Sequence, residues 1–488
     1  MTGAAPAAKK VAFHGAIDRL YYGVPQGPFF KPGMFGRMFP RLSALTASND
    51  AMVELGSAMV EEGGQINDPA FDNPTIPAGF TYLGQFIDHD ITFDTTPLPE
   101  IVTDPQAIHN FRTPKLDLDS LYGGGPGAQP YLYTRANDAL FVIGTNRESP
   151  DQNGVNIPAL PNDLPRNAEG FALIGDKRND ENLLVAQLHL AMLKFHNKVV
   201  TTRNVGFDEA RRIVTWHYQW MVIHDFLARL VSPAVLNDVL ANGRKFFTFQ
   251  EEAFMPVEFS VAAYRLGHSM VRDDYFHNRV FNPTSDRLAP GSLSLLFRFT
   301  GLSGSGGDVP VPTNWIIDWR RFFEFAGLPA DFQRNHSRLL DTKLAATLGN
   351  LPIPDPEKRL AVRNLIRGVK LGLPSGQAIA AAMGITPLTP SEVASGSDAA
   401  IVTKHGFDTK TPLWYYILKE AEVRGAGRRL GPVGSRIVAE TFIGLLDGDA
   451  NSFRSQDPTF TPDLPSATPG QFTMVDLLNF VGEVNPIG

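Results

Sequence analysis

Two long stretches of the chain are apolar on more than one helical face. Residues 181–203 carry leucine, alanine and phenylalanine all round a predicted helix, and residues 207–231 are very apolar between Trp216 and Leu230. A surface helix keeps one polar face, so a helix that is apolar all round is normally buried. The sequence therefore predicts two central helices and a fold large enough to enclose them.

Helical patterns recur along most of the chain, and few segments alternate as strands do. Residues 95–170 are dominated by Pro, Gly, Asn and Asp, which predicts long loops. There is no internal repeat and no long polar linker. We therefore predict a single, mainly α-helical domain with very little strand, made of an N-terminal wrapping arm at 1–50 and a main domain at 51–488. Further helices are predicted at 51–62, 79–94, 257–270, 314–328, 355–371, 375–383, 412–423, 432–446 and 473–482, with a capping box at 389–392.

Composition excludes several classes of function. The 488 residues contain no cysteine, so disulfides, thiolate ligands and cysteine nucleophiles are excluded. A net charge of -7 argues against a nucleic-acid partner. No apolar run is long enough for a transmembrane segment, and the N-terminus lacks the apolar core of a secretory signal. We expect a cytoplasmic protein, with export by a route that leaves no N-terminal mark as the alternative; the oligomeric state stays open.

One predicted helix, at 79–94, carries an unusual group of polar side chains. Gln85 and His89 are four residues apart and share a helical face, while Asp88 and Asp90 flank the histidine. Burying such a group without partners is unfavourable. The pattern indicates a candidate site, or else a histidine whose hydrogen bonds are satisfied within a core helix.

Three other segments carry candidate residues. Arg178 and Glu181 are three apart at the start of the first central helix, where they form either part of a site or a simple salt bridge. His268 lies in an apolar segment and is either a ligand or a satisfied core residue. Asn364 and Arg367 share a face of a helix that ends at a Gly-Leu-Pro sequence.

Residues 113–123 alternate oxygen-bearing side chains over a short loop. Asp117 and Asp119, together with backbone carbonyls, provide the hard oxygen ligands that Ca²⁺ prefers. The alternative is a solvated turn in which the aspartates bond only to the backbone.

The remaining histidines pair at a spacing of seven residues, His189 with His196 and His217 with His224. This spacing is too long for a metal clamp on one helix, so we interpret them as packing and hydrogen-bonding residues. The sequence contains no Gly-x-Ser-x-Gly or His-Glu-x-x-His motif, so the common hydrolase signals are absent.

Taken in order, these motifs resemble the animal haem peroxidases of the peroxidase–cyclooxygenase superfamily, specifically a bacterial member of the myeloperoxidase and lactoperoxidase type. The resemblance covers roughly residues 75–445, and the missing cysteines are consistent with a bacterial origin. The motifs that carry it are Gly84-Gln-Phe-Ile-Asp-His-Asp90, Leu116-Asp-Leu-Asp-Ser-Leu-Tyr-Gly123, Gly175-Asp-x-Arg-x-x-Glu181, Tyr264-Arg-x-Gly-His268 and Asn364-x-x-Arg-x-x-x-x-Gly-Leu-Pro374.

The resemblance implies haem b held between two helices. It assigns His89 as the distal base with Gln85 as its neighbour, Arg178 as the distal cation and His268 as the axial iron ligand. Asn364 would accept the hydrogen bond from the other ring nitrogen of His268, and Arg367 would bind a haem propionate. The remaining implied residues are Asp88 and Glu181, for ester links to haem, and Asp90, Thr113, Lys115 (through its carbonyl), Asp117 and Asp119, for Ca²⁺.

The implied activity is reduction of H₂O₂ through a ferryl/porphyrin-radical intermediate, with oxidation of a small-molecule electron donor and a role in the response to oxidative stress. Phenols and aromatic amines are the expected donors, and halides or thiocyanate are further candidates. The alternatives are a fatty-acid dioxygenase or hydroperoxide-processing haem enzyme, and a non-catalytic adhesive protein that retains the peroxidase fold.

Three departures from the family pattern sharpen these expectations. Asn182 stands where myeloperoxidase has a methionine bonded to haem, so no sulfonium link is expected. Arg265 stands where lipid oxygenases carry their radical tyrosine, with Tyr264 one residue earlier, which favours the peroxidase branch. Val369-Lys-Leu371 stands where the family usually has Arg-Asp-His.

Overall fold

The computed structural model describes residues 35–93, 110, 112–250, 252–282, 290–301, 308–351 and 358–488. Its chain is mainly helical, which confirms the predicted fold class. Over the described residues, the α-helices are α1 Asn49–Ala58, α2 Gly79–Ile91, α3 Asp119–Tyr122, α4 Gly125–Ala128, α5 Leu183–Arg203, α6 Phe207–Met221, α7 Ala228–Leu230, α8 Pro233–Asn242, α9 Leu293–Leu296, α10 Leu360–Lys370, α11 Gly376–Ala382, α12 Pro390–Val393, α13 Ala399–Lys404, α14 Leu413–Gly425, α15 Pro432–Asp447, α16 Phe453–Gln456 and α17 Met474–Val481.

Strands are short and occur in two-stranded pairs throughout the described ranges. The strands are β1 Phe35–Gly36, β2 Asp72–Pro77, β3 Ser149–Pro150, β4 Asn156–Ile157, β5 Met255–Pro256, β6 Asp274–Tyr275, β7 Gly291–Ser292 and β8 His336–Arg338. Strand β1 pairs with β5 in parallel, and the antiparallel pairs are β2 with β8, β3 with β4 and β6 with β7.

The two central helices are buried, as their apolar composition predicts. Helix α5 packs against α2, α6 and α17. It begins at Leu183 because Asn182 caps it, accepting a hydrogen bond from the amide of Val185 at 3.0 Å. The predicted helix at 207–231 is interrupted: α6 passes through a π-helical turn at Val222–Leu227 before α7.

The predicted helix at 257–270 does not form as an α-helix. A π-helical segment at Glu258–Ala262 runs into a 3-10 helix at Ala263–His268, and the backbone leaves helical geometry between them, with φ -129° and ψ -73° at Ala262. The three helix types differ in period, but this segment is short and mostly apolar, so its pattern does not reveal the change of winding. Irregular turns of this kind are frequent at functional sites.

Other boundaries also differ from the prediction. Residues 314–328 form only the short 3-10 turns Thr313–Trp315 and Trp319–Arg321 in place of longer helical pieces. Helix α8 was not predicted, although it has proline at its first position and Gly243 just after its end, both of which are helix-boundary signals.

The described end of the predicted N-terminal arm is hydrogen-bonded to strand β5 and to the π-helical segment Glu258–Ala262. Strand β1 pairs with β5, and the buried carboxylate of Glu258 accepts hydrogen bonds from the amides of Met38 and Phe39 at 2.9 and 3.0 Å. Residues 1–34 of that arm lie outside the described residues, and the division into arm and main domain stays a prediction. None of the described helices combines the length and apolarity needed to cross a membrane.

Candidate active site

A cavity of about 580 Å³ lies between α2 and the 3-10 helix Ala263–His268. His89 lines it from α2 and His268 from the 3-10 helix, although 179 positions separate them in sequence. Its size and partly apolar wall are typical of a cofactor or ligand site. The other predicted site residues that line it are Gln85, Asp88, Arg178, Glu181 and Arg367.

His89 is buried at the cavity wall and is neutral at physiological pH. Its Nδ1 atom lies 2.7 Å from Oδ1 of Asn179, and its Nε2 atom lies 3.6 Å from Oε1 of Glu181. Burial, together with the adjacent charge of Arg178, lowers the pKa of His89 to about 3. A neutral imidazole with one nitrogen towards the cavity is chemically suited to accept a proton.

Arg178 is fixed beside His89 by three acceptors. Its Nη2 atom donates to the carbonyl oxygens of His89 and Thr92 at 3.0 and 2.6 Å, and to Oδ2 of Asp176 at 2.7 Å. Arg112 binds the same carboxylate from the other side at 2.6 Å. Burial by itself would raise the pKa of Asp176, but the two guanidinium groups outweigh it and hold that pKa well below its usual range. Arg178 therefore presents a fixed positive charge at the cavity.

Glu181 and Gln85 meet next to His89. The amide nitrogen of Gln85 donates to Oε1 of Glu181, and the amide of Asn182 donates to Oε1 of Gln85 at 2.9 Å. Burial raises the pKa of Glu181 to about 7. Asn182 thus caps α5 and also orients the side chain of Gln85.

Asp88 lies one residue before His89 and faces the same cavity. Its Oδ1 atom accepts a hydrogen bond from the hydroxyl of Thr92 at 3.0 Å, and burial raises the pKa of its carboxyl. The structure therefore brings both predicted ester-forming carboxyls, Asp88 and Glu181, to the wall of one cavity.

On the opposite side of the cavity, His268 contacts the predicted residue Asn364. The two side-chain nitrogens, His268 Nδ1 and Asn364 Nδ2, are 2.7 Å apart, while Oδ1 of Asn364 accepts a hydrogen bond from Arg265 at 2.9 Å. In this arrangement Asn364 presents its amide nitrogen to His268, because its amide oxygen accepts from Arg265. Asn364 as the acceptor of the His268 ring N–H stays a prediction. Burial lowers the pKa of His268 well below its usual value, so its ring is neutral.

The chemistry of the lining fits an iron porphyrin that carries two carboxylates. His268 offers a neutral imidazole as an iron ligand, with its second nitrogen already bonded to a neighbour. Arg363 and Arg367 on α10, together with Arg265, bring guanidinium groups suited to carboxylates. Apolar lining residues suited to a flat macrocycle include Phe80, Phe226, Val261, Leu293, Phe297 and Leu371.

A second group of predicted residues meets on the far side of α2. Carboxylate oxygens of Asp90, Asp117 and Asp119 lie within 4.8 Å of one another, and Asp90 is fully buried. Burial raises the pKa of Asp90, and the neighbouring charges of Asp117 and Asp119 raise it further, which is the expected situation for carboxylates that share a cation. Thr113 joins them through its hydroxyl, 3.1 Å from Asp119 Oδ2.

The donor set of this cluster fits Ca²⁺, which takes oxygen ligands from carboxylates, hydroxyls and carbonyls. Lys115 belongs to the same loop, where its amide donates to the carbonyl of Thr113 at 2.8 Å. Its side chain points instead towards Asp449, 3.7 Å away, so only its backbone is a candidate ligand. The carbonyl assignment for Lys115 stays a prediction.

The sequence reading missed the residues that hold the distal side chains in place. Asp176 and Arg112 fix Arg178, and Asn179 binds His89. Asp176 and Asn179 lie inside the Gly175–Glu181 motif, so their position beside Arg178 was a usable signal. Arg112 gives no such signal, because only the tertiary fold brings it to Asp176.

Sequence comparisons place this chain among known proteins. The profile described as animal haem peroxidase matches residues 96–466. Thyroid peroxidase of Mus musculus is 24% identical over 368 residues, which cover 71% of this chain and 38% of the mouse protein. A peroxidase-like protein of Margaritifera margaritifera is 26% identical over 283 residues, covering 46% of this chain and 34% of that protein. The chain therefore spans well under half the length of these curated relatives.

Solved structures with a similar fold include a peroxidase and a fatty acid alpha-dioxygenase. Peroxidase A of Dictyostelium discoideum matches with a TM-score of 0.61 at 15% identity, covering 94% of this chain and 95% of that one. A fatty acid alpha-dioxygenase of Oryza sativa matches with a TM-score of 0.57 at 16% identity, covering 93% and 80%. Because the profile match alone extends over more than half of the sequence, the chain belongs to the animal haem peroxidase family.

Proposed function

We propose that this protein is a haem peroxidase that reduces H₂O₂ and oxidises small electron donors such as phenols and aromatic amines, with halides or thiocyanate as further candidates. The observation that carries the proposal is the pairing, across one cavity, of a neutral His89 beside a fixed Arg178 with His268 on the opposite side. Binding or adhesion alone would need none of these three side chains.

Haem, when bound, supplies the electron-transfer and oxygen chemistry that the amino-acid side chains lack. His268 would hold its iron, and Arg367 and Arg363 would bind its propionates. Asp88 and Glu181 would be the residues that form ester links. Acid-acetone extraction would test those links, since a free cofactor dissolves in the acetone and an esterified one stays with the protein.

Two residues of the chain carry the proposed proton and charge chemistry. His89, neutral and hydrogen-bonded at Nδ1, takes a proton at Nε2 from one oxygen of H₂O₂ and delivers it to the other as the O–O bond breaks. Arg178 stabilises the negative charge that develops on the leaving oxygen, because its guanidinium is already held at the cavity wall.

We propose Ca²⁺ as the ion of the cluster formed by Asp90, Thr113, Lys115, Asp117 and Asp119. Asp90 directly follows His89 in α2. A cation there would fix the end of the helix that carries the proton acceptor. Metal analysis of the purified protein by mass spectrometry should find about one equivalent of calcium for a single site of this kind.

The assay that tests the proposal uses the haem-loaded protein with guaiacol and H₂O₂. We expect a Soret absorption band, peroxide-dependent oxidation of guaiacol, and collapse of that activity in His89→Ala and in Arg178→Ala. Normal turnover in both variants would refute the assignment.

A fatty-acid dioxygenase is the second candidate function. It is favoured by the apolar part of the cavity wall and by the fold shared with fatty acid alpha-dioxygenases. Arg265, which stands where lipid oxygenases carry their radical tyrosine, argues against it. Oxygen uptake with linoleate and no added peroxide would favour this alternative over the peroxidase.

A further inference from the structure

A chain of buried polar groups extends from His89 away from the cavity. His89 Nδ1 lies 2.7 Å from Oδ1 of Asn179, and Nδ2 of Asn179 lies 2.9 Å from Nδ1 of His189. Asn179 and His189 both have no exposed surface. His189 sits on α5, and within the described part of the chain its Nε2 atom has no hydrogen-bond partner. The peroxide chemistry described above uses Asn179 only as the partner of His89 Nδ1 and makes no use of His189.

The orientation of the Asn179 amide decides where the protons of both rings lie. An amide oxygen only accepts and an amide nitrogen only donates, while a neutral imidazole has one nitrogen of each kind. With the oxygen facing His89, its Nδ1 carries the proton and its Nε2 keeps the lone pair. On the other side His189 accepts at Nδ1, which places its own proton on Nε2.

The reversed amide would give His89 the wrong proton arrangement. Its Nδ1 would then have to accept from the Asn179 amide nitrogen, and the proton would move to Nε2, where a lone pair is needed to accept one from peroxide. His189 is the residue that binds the nitrogen end of the amide. Replacing His189 by an aliphatic residue therefore removes the acceptor that the amide nitrogen uses in the orientation found here.

We propose that Asn179 and His189 are positioning residues that hold His89 in the tautomer whose Nε2 atom is a free base. The proposal rests on the proposed function, since this tautomer matters because His89 accepts a proton. The expected effect is large enough to measure, because a positioned general base contributes about 10²- to 10⁴-fold and a wrong histidine tautomer in serine proteases lowers kcat by about 10⁴.

Cyanide binding to the haem-loaded protein tests the positioning role of Asn179 and His189 without peroxide turnover. Hydrogen cyanide must give up its proton as it binds, so its association rate reports on the free base at His89. We expect His189→Leu and Asn179→Leu to slow association by about 10²-fold at neutral pH, the lower end of what a positioned general base contributes. His189→Gln, whose amide oxygen accepts from Asn179, should restore the rate to within about threefold of wild type, an effect that a packing role would not produce.

His196→Leu is the matched control. His196 is also a fully buried histidine on α5, but it bonds to the hydroxyl of Tyr122 and the carbonyl of Ala139, at 3.0 and 2.8 Å, and does not contact Asn179. Its cyanide association rate should equal that of wild type. Equal slowing in His196→Leu and His189→Leu, or an unrescued His189→Gln, would overturn the proposal.

A second measurement needs no haem. Nitrogen-15 NMR of the histidine-labelled chain should place the proton of His89 on Nδ1 in wild type and increase the Nε2-protonated form in His189→Leu. If the His89 tautomer is unchanged in His189→Leu, the positioning role of His189 is overturned even if the protein has peroxidase activity. If the NMR and cyanide results are as expected but the protein does not turn over peroxide, the proposed function is refuted. The positioning role of Asn179 and His189 is then still supported.

Discussion

The two sides of the cavity are built differently. His89 lies on the regular helix α2, and its backbone carbonyl, together with that of Thr92, binds Arg178. His268 ends a π and 3-10 segment whose backbone is irregular, and its side-chain partner Asn364 is shared with Arg265. We refer to these as the distal and the proximal side.

This difference shows which side of the site has its hydrogen bonds in place before a cofactor binds. On the distal side, the proton acceptor and the cation already have the hydrogen bonds that their proposed roles require. On the proximal side, an iron held at Nε2 of His268 would leave the ring proton on Nδ1, and Asn364 would then have to present its oxygen instead of its nitrogen. The distal side is therefore preorganised for its proposed role, while the proximal side would complete its hydrogen bonding only with the cofactor bound.

The largest effect is expected for His89→Ala, which removes the distal proton acceptor. The reaction with H₂O₂ should slow by about 10²- to 10⁴-fold, the usual contribution of a positioned general base. Haem uptake should not change, because the proximal side stays intact. Stopped-flow spectroscopy of the haem-loaded variant measures the rate, and a value within a few-fold of wild type would break the comparison.

Arg178→Ala should slow the same step by about 10²- to 10³-fold, since it removes one preorganised charge-stabilising donor. Arg178→Lys should recover only part of the loss, because an ammonium cannot reproduce the planar set of bonds to Asp176 and the two carbonyls. The matched control is Arg212→Ala, an exposed arginine that pairs with Glu209. Peroxide kinetics of the three variants would contradict this account if Arg212→Ala were the slowest.

Asn364→Leu sharpens the proximal half of the comparison. Removing the partner of His268 should weaken haem affinity by about 10- to 100-fold, the usual effect of deleting a hydrogen bond to a metal-binding histidine. The distal side makes no contact with Asn364, so peroxide reactivity per bound haem should fall much less than in His89→Ala. Haem titration followed by single-turnover kinetics separates the two quantities; unchanged affinity would show that the proximal partner is dispensable.

The smallest expected effect is the contribution of Glu181 to the pH dependence of the free energy of unfolding. Burial raises its folded-state pKa from the ordinary 4.5 to about 7. Between those values the folded chain holds a proton that the unfolded chain has released, so the free energy of unfolding should fall as pH rises from 4.5 to 7. Urea unfolding of haem-free wild type and Glu181→Gln at pH 5 and pH 8 should show a flatter dependence in the variant.

The distal side was largely predictable from the sequence, and the proximal side less so. The i, i+4 spacing of Gln85 and His89 depends only on helix geometry, and α2 forms within three residues of the predicted range. The winding of Glu258–His268 and the orientation of the Asn364 amide depend on Arg265 and on other segments that meet only in the folded chain. The sequence indicated packing and hydrogen bonding for His189, but its contact with Asn179 forms only in the folded chain, so the sequence did not identify that partner.

The most direct test of the central claim is a haem titration of wild type, His89→Gly and His268→Gly, with and without added imidazole. If the two histidines face opposite sides of one haem and only His268 binds its iron, wild type and His89→Gly should give the same Soret band. His268→Gly should lose that band and regain it with imidazole. A His268→Gly protein that binds haem like wild type, or a His89→Gly protein that needs imidazole to do so, would contradict the account.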